Sequence, residues 1–303
     1  MEPNEQAAIL TIALLAAVAD GTQDDREREQ IRQIAESLAG EHGAPPLARI
    51  YQDVLLKRVT LTQAATMLRD PAQRQLAYEM AVCVCDADGS ASPAERRFLD
   101  ELRTALQLDT TQTAEVDHAA AAMAEAPLTA ATKSDAELDQ YILNHAIING
   151  AIELLPHSLA TMAIIPLQMK MVYRIGQSYG HELDKGHIKE FLATAGVGLT
   201  SQYLEQFGRK LLGGLLGSVA GGIGRGVGSV AAGAAFSFAT TYALGQLAKR
   251  YYAGGRQMST ALVQSTYQSL LGDAKQLQQQ NLQQIRDRAR TLDAGQIMSM
   301  VKN

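Results

Sequence analysis

Residues 84–95 read VCDADGSASPAE, and residues 16–27 read AAVADGTQDDRE. Asp20, Gly21 and Glu27 of one stretch match Asp88, Gly89 and Glu95 of the other at identical spacing, 68 residues apart. Each copy reads as a helix, an Asp-Gly turn and a second helix. Around them, apolar residues recur every three or four positions. Ile9, Ile12, Ala13, Ala16 and Ala19 form one stripe; Ile31, Ile34, Ala35 and Leu38 form the next. That period belongs to amphipathic helices, and no strand alternation competes with it. The spacing predicts an all-α N-terminal bundle built on an internal pseudo-repeat.

Helix capping accounts for part of the repeated motif. Gly21 and Gly89 stand where a helix C′ residue takes a left-handed backbone. Asp24-Asp25-Arg26-Glu27 and Ser92-Pro93-Ala94-Glu95 both read as capping boxes, with Pro93 at the first helical position. Asp20 and Asp88 are left over. Each falls in the last turn of its helix, where the dipole disfavours a negative charge by ~0.3–1 kcal/mol. Two things would offset that cost: the N-terminal amides of the following helix, or a cation. Asp20, Asp88, Glu27 and Glu95 are the candidate metal ligands, with Asp24 and Asp86 nearby. An all-oxygen set suits a hard divalent cation, Ca²⁺ or Mg²⁺. The loop is not an EF-hand, because counting from Asp86 puts Gly89 at position 4 and Glu95 at position 10.

On these residues, roughly 5–125, the chain resembles the tellurite-resistance TerB-like domain, also seen at the N-terminus of some membrane-anchored J-domain co-chaperones. The resemblance implies an all-helical, cytoplasmic domain linked to metal and stress responses. It also implies metal binding through acidic residues, here Asp20, Asp88, Glu27 and Glu95.

Composition divides the chain. Residues 1–135 hold 22 acids and 12 bases, a net of −10, whereas residues 136–303 hold 10 acids and 15 bases, a net of +5. Of the 25 glycines, 18 lie between Gly176 and Gly255. Such asymmetry predicts modules in different surroundings: an acidic domain over 1–130, a Gly/Ala-rich helical domain over 134–255, and a C-terminal amphipathic helix over 256–303. The net charge of −5 argues against a nucleic-acid partner. Two cysteines, Cys83 and Cys85, cannot build a disulfide framework or a zinc site. The acidic start, MEPNE, does not read as a secretory signal.

In the basic part, Ser134-Asp135-Ala136-Glu137 reads as another capping box, opening a helix through about Gly150, and Pro156 and Pro166 mark helix starts or kinks. Residues 211–248 carry one charge, Arg225. Two readings compete for this Gly/Ala-rich segment. As a membrane hairpin, residues 226–248 supply 23 uncharged positions, enough to cross a ~30 Å hydrocarbon core. Arg209, Lys210, Lys249 and Arg250 would flank its two arms on the cytoplasmic side. Gly213, Gly217 and Gly221 would then allow close helix approach in lipid. Alternatively, the small residues let helices pack tightly inside a protein or a homo-oligomer.

Residues 150–253 resemble an uncharacterised bacterial family of GTPase-associated predicted membrane domains. The resemblance is carried by Ile152–Pro156, the run from Pro166 to Met171, Ile175 with Tyr179-Gly180, and the Gly/Ala hairpin ending Ala243-Leu244-Gly245. It implies a small GTPase as partner, since this chain has no phosphate loop of its own.

Beyond Gly255, Val263, Tyr267, Leu270, Ala274 and Leu277 follow a 4-3-4-3 spacing, either a helix packed back on its own domain or a seam for a partner. Gly226–Ala231 matches G-x-G-x-x-A without the strand that a dinucleotide site requires. Glu153 and His157 read as a local i,i+4 pair, and no nucleophile elbow is present. The expectation is a non-enzymatic adaptor or sensor at the inner membrane, with its N-terminal domain cytoplasmic; a cytoplasmic location is the alternative. The competing functions are an oligomeric membrane-remodelling or pore-like protein and a metal-dependent enzyme using the acidic pair.

Overall fold

The computed structural model describes residues 2–21, 29, 31–32, 47–87, 89, 91–128, 132–155, 158–212 and 227–303. Among these residues every regular element is an α-helix, so the fold is all-α. Contacts divide the chain into two compact units. The first is Met1–Glu125 with Gly198–Ile223; the second is Ala126–Val197 with Gly224–Asn303. Gly198–Ile223, which the sequence groups with the Gly/Ala-rich segment, therefore clusters with the acidic unit.

The first unit contains α1 (Pro3–Ala17), α2 (Leu47–Leu55), α3 (Leu61–Thr66), α4 (Pro71–Cys85), α5 (Pro93–Ala105) and α6 (Thr110–Ala124). The returning segment adds a further helix, Leu199–Leu212. The starts follow from sequence chemistry. Pro3, Pro71 and Pro93 open their helices, where a missing N–H costs nothing. Asp70 accepts from Ala72 N at 2.9 Å, and Thr60 and Gln63 cap α3 reciprocally. Helix α1 is buried along Ala8–Leu14 as well as at Ala16 and Ala17, wider than the stripe its sequence suggests. A helix apolar on most sides belongs at the centre of a core. It packs against α2, α3, α4 and Leu199–Leu212. Gln6 Nε2 donates to Leu211 O at 3.2 Å, fixing that last contact. Ile9, Ile12, Leu68, Tyr78 and Met80 lie at the centre of this core.

The second unit contains α7 (Asp135–Glu153), α8 (Ser158–Met162), α9 (Ile164–Ser178) and α10 (Lys185–Thr194). With the helix Leu199–Leu212 numbered α11, the unit continues with α12 (Val227–Ala253), α13 (Thr260–Thr291) and α14 (Ala294–Lys302). The Ser134 box forms as expected: Ser134 N donates to Glu137 Oε2 at 2.8 Å. Pro166 falls in the first turn of α9, and Pro156 lies outside the described residues. Helix α12 is the organiser, packed against α7, α9 and α13. Gly245 makes the α7 contact possible, because a Cβ there would stand 2.6 Å from Ile142 Cγ2 and 3.2 Å from Met171 Cε.

No helix among the described residues is long and apolar enough to cross a membrane. This corrects the expectation of a transmembrane span over 226–248. Lack of charge is not apolarity: Ser237, Thr240 and Thr241 interrupt the run, and they are buried within the unit rather than facing lipid. Gly213, Gly217, Gly221 and Arg225 lie outside the described residues.

The seam of α13 is buried at Val263, Tyr267, Leu270 and Ala274, as its spacing predicts, and continues through Gln278, Asn281 and Ile285. This helix packs on α12 and α7 of its own unit.

Candidate functional site

The Asp-Gly turn that follows α4 is a closed structure. Asp86 is the C-cap residue of α4, with φ −89° and ψ 6°. Its carbonyl accepts from Gly89 N at 3.2 Å, and its carboxylate Oδ1 accepts from Ala91 N at 2.8 Å. Arg96 Nη1 donates to Ala91 O from the other side. Ser92 then caps α5: its hydroxyl accepts from Glu95 N at 3.2 Å, and Glu95 Oε2 accepts from Ser92 N at 2.7 Å. Gly89 has φ +138° and Gly21 has φ +68°, backbone that favours glycine in both copies of the motif.

Carboxylates from both copies act on Cys85. This thiol is fully buried. Burial raises its pKa, and the charges of Glu95, Asp86 and Asp20 raise it further. Asp20 from the first copy therefore stands within electrostatic reach of the same sulfur as Asp86 and Glu95 from the second. The outcome is a protonated, sequestered thiol, not a thiolate nucleophile. Tyr203 of α11 joins this end of α4: it is buried, and burial, then Cys83 and Asp86, push its hydroxyl pKa upward.

Of the four predicted ligands, Asp20 and Glu95 are described, and Glu27 and Asp88 lie outside the described residues. Among the described residues no group of three or more His, Cys, Asp or Glu side chains could hold a metal ion. What sequence reading missed here is Asp86 as the residue that staples the turn. The only signal was residue type: Asp side chains accept from nearby backbone N–H groups where a helix gives way to a turn.

A second polar constellation lies in the core of the other unit. Asn149 and Glu153 share one face of α7, and Ser237 and Thr241 share one face of α12. Asn149 Nδ2 donates to Thr241 Oγ1 at 3.0 Å, and Gln168 Nε2 of α9 donates to the same oxygen at 2.9 Å. One turn away, Ser237 N donates to Glu153 Oε2 at 2.7 Å. Every one of these five residues is at most 1% exposed. Among the described residues, Asn149 Oδ1 and Ser237 Oγ have no hydrogen-bond partner. The arrangement is a two-rung ladder of polar groups sealed among apolar helices, which fixes the register of α7 against α12. The sequence spacing pairs this Glu153 with His157, which lies outside the described residues.

Near the start of α7, Lys249 Nζ pairs with Asp135 at 3.0 Å and Asp139 at 2.9 Å, and Tyr179 donates its hydroxyl to Asp135. Asp135 is held below the usual carboxylate range, first by that hydroxyl and then by Lys249. These groups tie α7, α9 and α12 together at the surface.

Neither a curated protein nor a solved structure matches the chain. Residues 1–120, which hold both copies of the Asp-Gly motif, match the family described as protein of unknown function (DUF533), a TerB-like family.

Proposed function

We propose that the protein is a non-enzymatic adaptor or sensor in a bacterial stress or envelope pathway, with its acidic unit docking a protein partner or a cation. The observation that carries this reading is the use made of the motif's carboxylates. Asp86 closes the turn on Ala91 N, and Glu95 closes the box at Ser92. Acids that brace a helix–turn–helix shape a presenting surface. The thiol beside them is buried and protonated, which withholds the form a nucleophile needs. The TerB-like match over residues 1–120 supports a role of the same kind. A small GTPase is the partner class that the C-terminal resemblance suggests.

Peripheral attachment to the inner membrane belongs to the same proposal. Its support is the sequence of residues 213–226, GGLLGSVAGGIGRG, with one charge at Arg225. Fourteen residues are too few to span a bilayer and enough to lie in its surface.

Two measurements test the reading on the full chain. In membrane fractionation, the protein should sediment with membranes in buffer and be released by an alkaline carbonate wash. A protein that never sediments removes the membrane part of the proposal. Calorimetric titration with Ca²⁺ or Mg²⁺ tests the sensor arm. Heat that disappears in an Asp20→Asn/Asp88→Asn variant supports a bound cation; no heat leaves docking alone. Metal-dependent turnover abolished by Asp20→Ala would overturn the adaptor reading in favour of an enzyme.

A further inference from the structure

We propose that the tip Leu55-Leu56-Lys57-Arg58, where α2 ends, is a docking surface for an anionic lipid bilayer. The proposal rests on the peripheral attachment inferred above and gives it a contact site in the first unit. All four residues of the tip are exposed. Leu55 is 45% and Leu56 58% exposed, and Met67, the C-cap of α3, is 46% exposed. Among the described residues Leu262 is the one other large apolar side chain in this class. Tyr51 and Val54 already supply the buried side of α2, which packs on α1, so the two leucines are surplus to the core. An apolar side chain exposed singly needs no explanation; two adjacent ones among cations do.

Charge complementarity names the occupant. The stretch from Leu47 to Arg69 holds four bases and one acid, net +3, whereas the other residues of 1–135 hold 21 acids and 8 bases, net −13. The one acid, Asp53, is shared: its Oδ1 lies 3.5 Å from Arg58 Nη1 and its Oδ2 3.9 Å from Arg49 Nε. Among the described residues Lys57 and Arg69 have no ion-pair partner. The backbone fixes the tip. Lys57 N donates to Val54 O at 3.0 Å and Arg58 N to Asp53 O at 2.8 Å, with Lys57 at φ +53°. Helices α9, α10 and α12 close in the same way on Gly180, Gly196 and Gly255, the residue such a backbone favours. Helix α2 puts an ammonium there instead. An occupant must take up leucine and balance positive charge at one place. A bilayer with anionic headgroups does both: apolar side chains enter the headgroup–acyl boundary, and each Lys or Arg near it adds attraction. It also needs no relief matched to four side chains splayed around a tight turn. The same headgroups repel the acidic remainder of residues 1–135, which leaves this stretch as the part of that segment to approach them.

The test uses the full chain with vesicles of phosphatidylcholine alone, or of phosphatidylcholine mixed equally with phosphatidylglycerol. The sequence has no Trp, so Leu56→Trp installs a sole tryptophan at the tip. Its emission should move to the blue on the mixed vesicles and stay in place on phosphatidylcholine alone. In co-sedimentation, Leu55→Ser/Leu56→Ser should weaken binding to the mixed vesicles by about tenfold or more. Lys57→Gly should weaken it about fivefold, the worth of one cation near an anionic surface. Its thermal melting temperature should hold or rise, because glycine suits the left-handed backbone, so weaker binding there is not unfolding. Either an unmoved emission or co-sedimentation indifferent to these substitutions overturns the tip and leaves attachment through other residues standing. A parent chain that sediments with neither vesicle overturns both the tip and the attachment. A blue shift that grows with protein concentration in the absence of vesicles assigns the tip to a second copy of the chain and overturns the lipid.

Discussion

The Asp-Gly turn of the first unit and the polar ladder of the second use hydrogen bonds in opposite ways. At the turn, Asp86 reaches Ala91 and Ser92 reaches Glu95, so both partners lie within five residues. Much of that network is within reach of water. In the ladder, Asn149 meets Thr241 across 92 residues and Glu153 meets Ser237 across 84, all of them sealed from solvent. A local, wet network sets where a helix ends. A distant, dry one sets which helices pair, and it is costly to break because an orphaned buried group cannot turn to water.

That difference orders the expected effects of substitution. Thr241→Val strikes hardest, because it removes the acceptor of the buried Asn149 Nδ2 and one hydrogen bond of the buried Gln168 Nε2. At about 1–3 kcal/mol for the orphaned Asn149 amide and about 1 kcal/mol for the bond lost by Gln168, denaturant unfolding of the second unit should show a loss of about 2–4 kcal/mol. A loss below about 1 kcal/mol would put the ladder on a par with the turn and erase the contrast.

A pH titration sharpens the same point. His145 is lowered to about 4, first by burial, and its Nδ1–H donates to Tyr141 O. Its folded-state pKa lies below the ordinary 6.5, so the unfolded chain binds more protons between these values. Stability should therefore rise with pH from about 4 to 6.5 and level off above, by up to about 3 kcal/mol. His145→Gln should flatten that rise.

Two glycines give a smaller, internally controlled pair. Gly245→Ala places a Cβ 2.6 Å from Ile142 and should cost about 1–3 kcal/mol. Gly272→Ala on α13 meets nothing within 4 Å and should gain about 0.5–1 kcal/mol from helix propensity. Equal effects in melting experiments would mean that the α7–α12 approach is loose. The smallest effect belongs to the turn. Ser92→Ala removes one cap and should cost about 1 kcal/mol, with nothing comparable lost from the second unit.

The same contrast explains what the sequence disclosed. Ser92, Pro93 and Glu95 take the places their spacing predicts, because capping is decided within one turn of chain. Gly21 and Gly89 do not stand at C′, nor Asp20 in a last turn: α1 ends at Ala17 with Val18 as its C-cap, and α4 at Cys85 with Asp86, so each glycine lies three residues past its cap. The α13 seam is also readable, up to Ala274. A strict 4-3-4-3 count then selects Leu277, whereas the buried residue is Gln278. A helix of 3.6 residues per turn drifts against a 3.5 repeat, and by the third heptad the drift has moved the seam by one position. The ladder was not readable as a pairing. Asn149 with Glu153, and Ser237 with Thr241, each show an i,i+4 polar pair inside an apolar helix, but nothing local says that one pair meets the other. Residues 226–248 misled for a related reason: uncharged Ser and Thr look compatible with lipid until their partners are known.

The course of the backbone has a consequence for synthesis and truncation. The chain leaves the first unit after Glu125 and returns to it only at Gly198. Tyr203, Leu204 and Leu211, supplied by that late segment, are buried, and α11 packs on α1 and α4. As the chain emerges from the ribosome, the acidic unit must wait with part of its apolar surface bare while some seventy further residues are made. A fragment stopped at residue 130 would keep that surface permanently open.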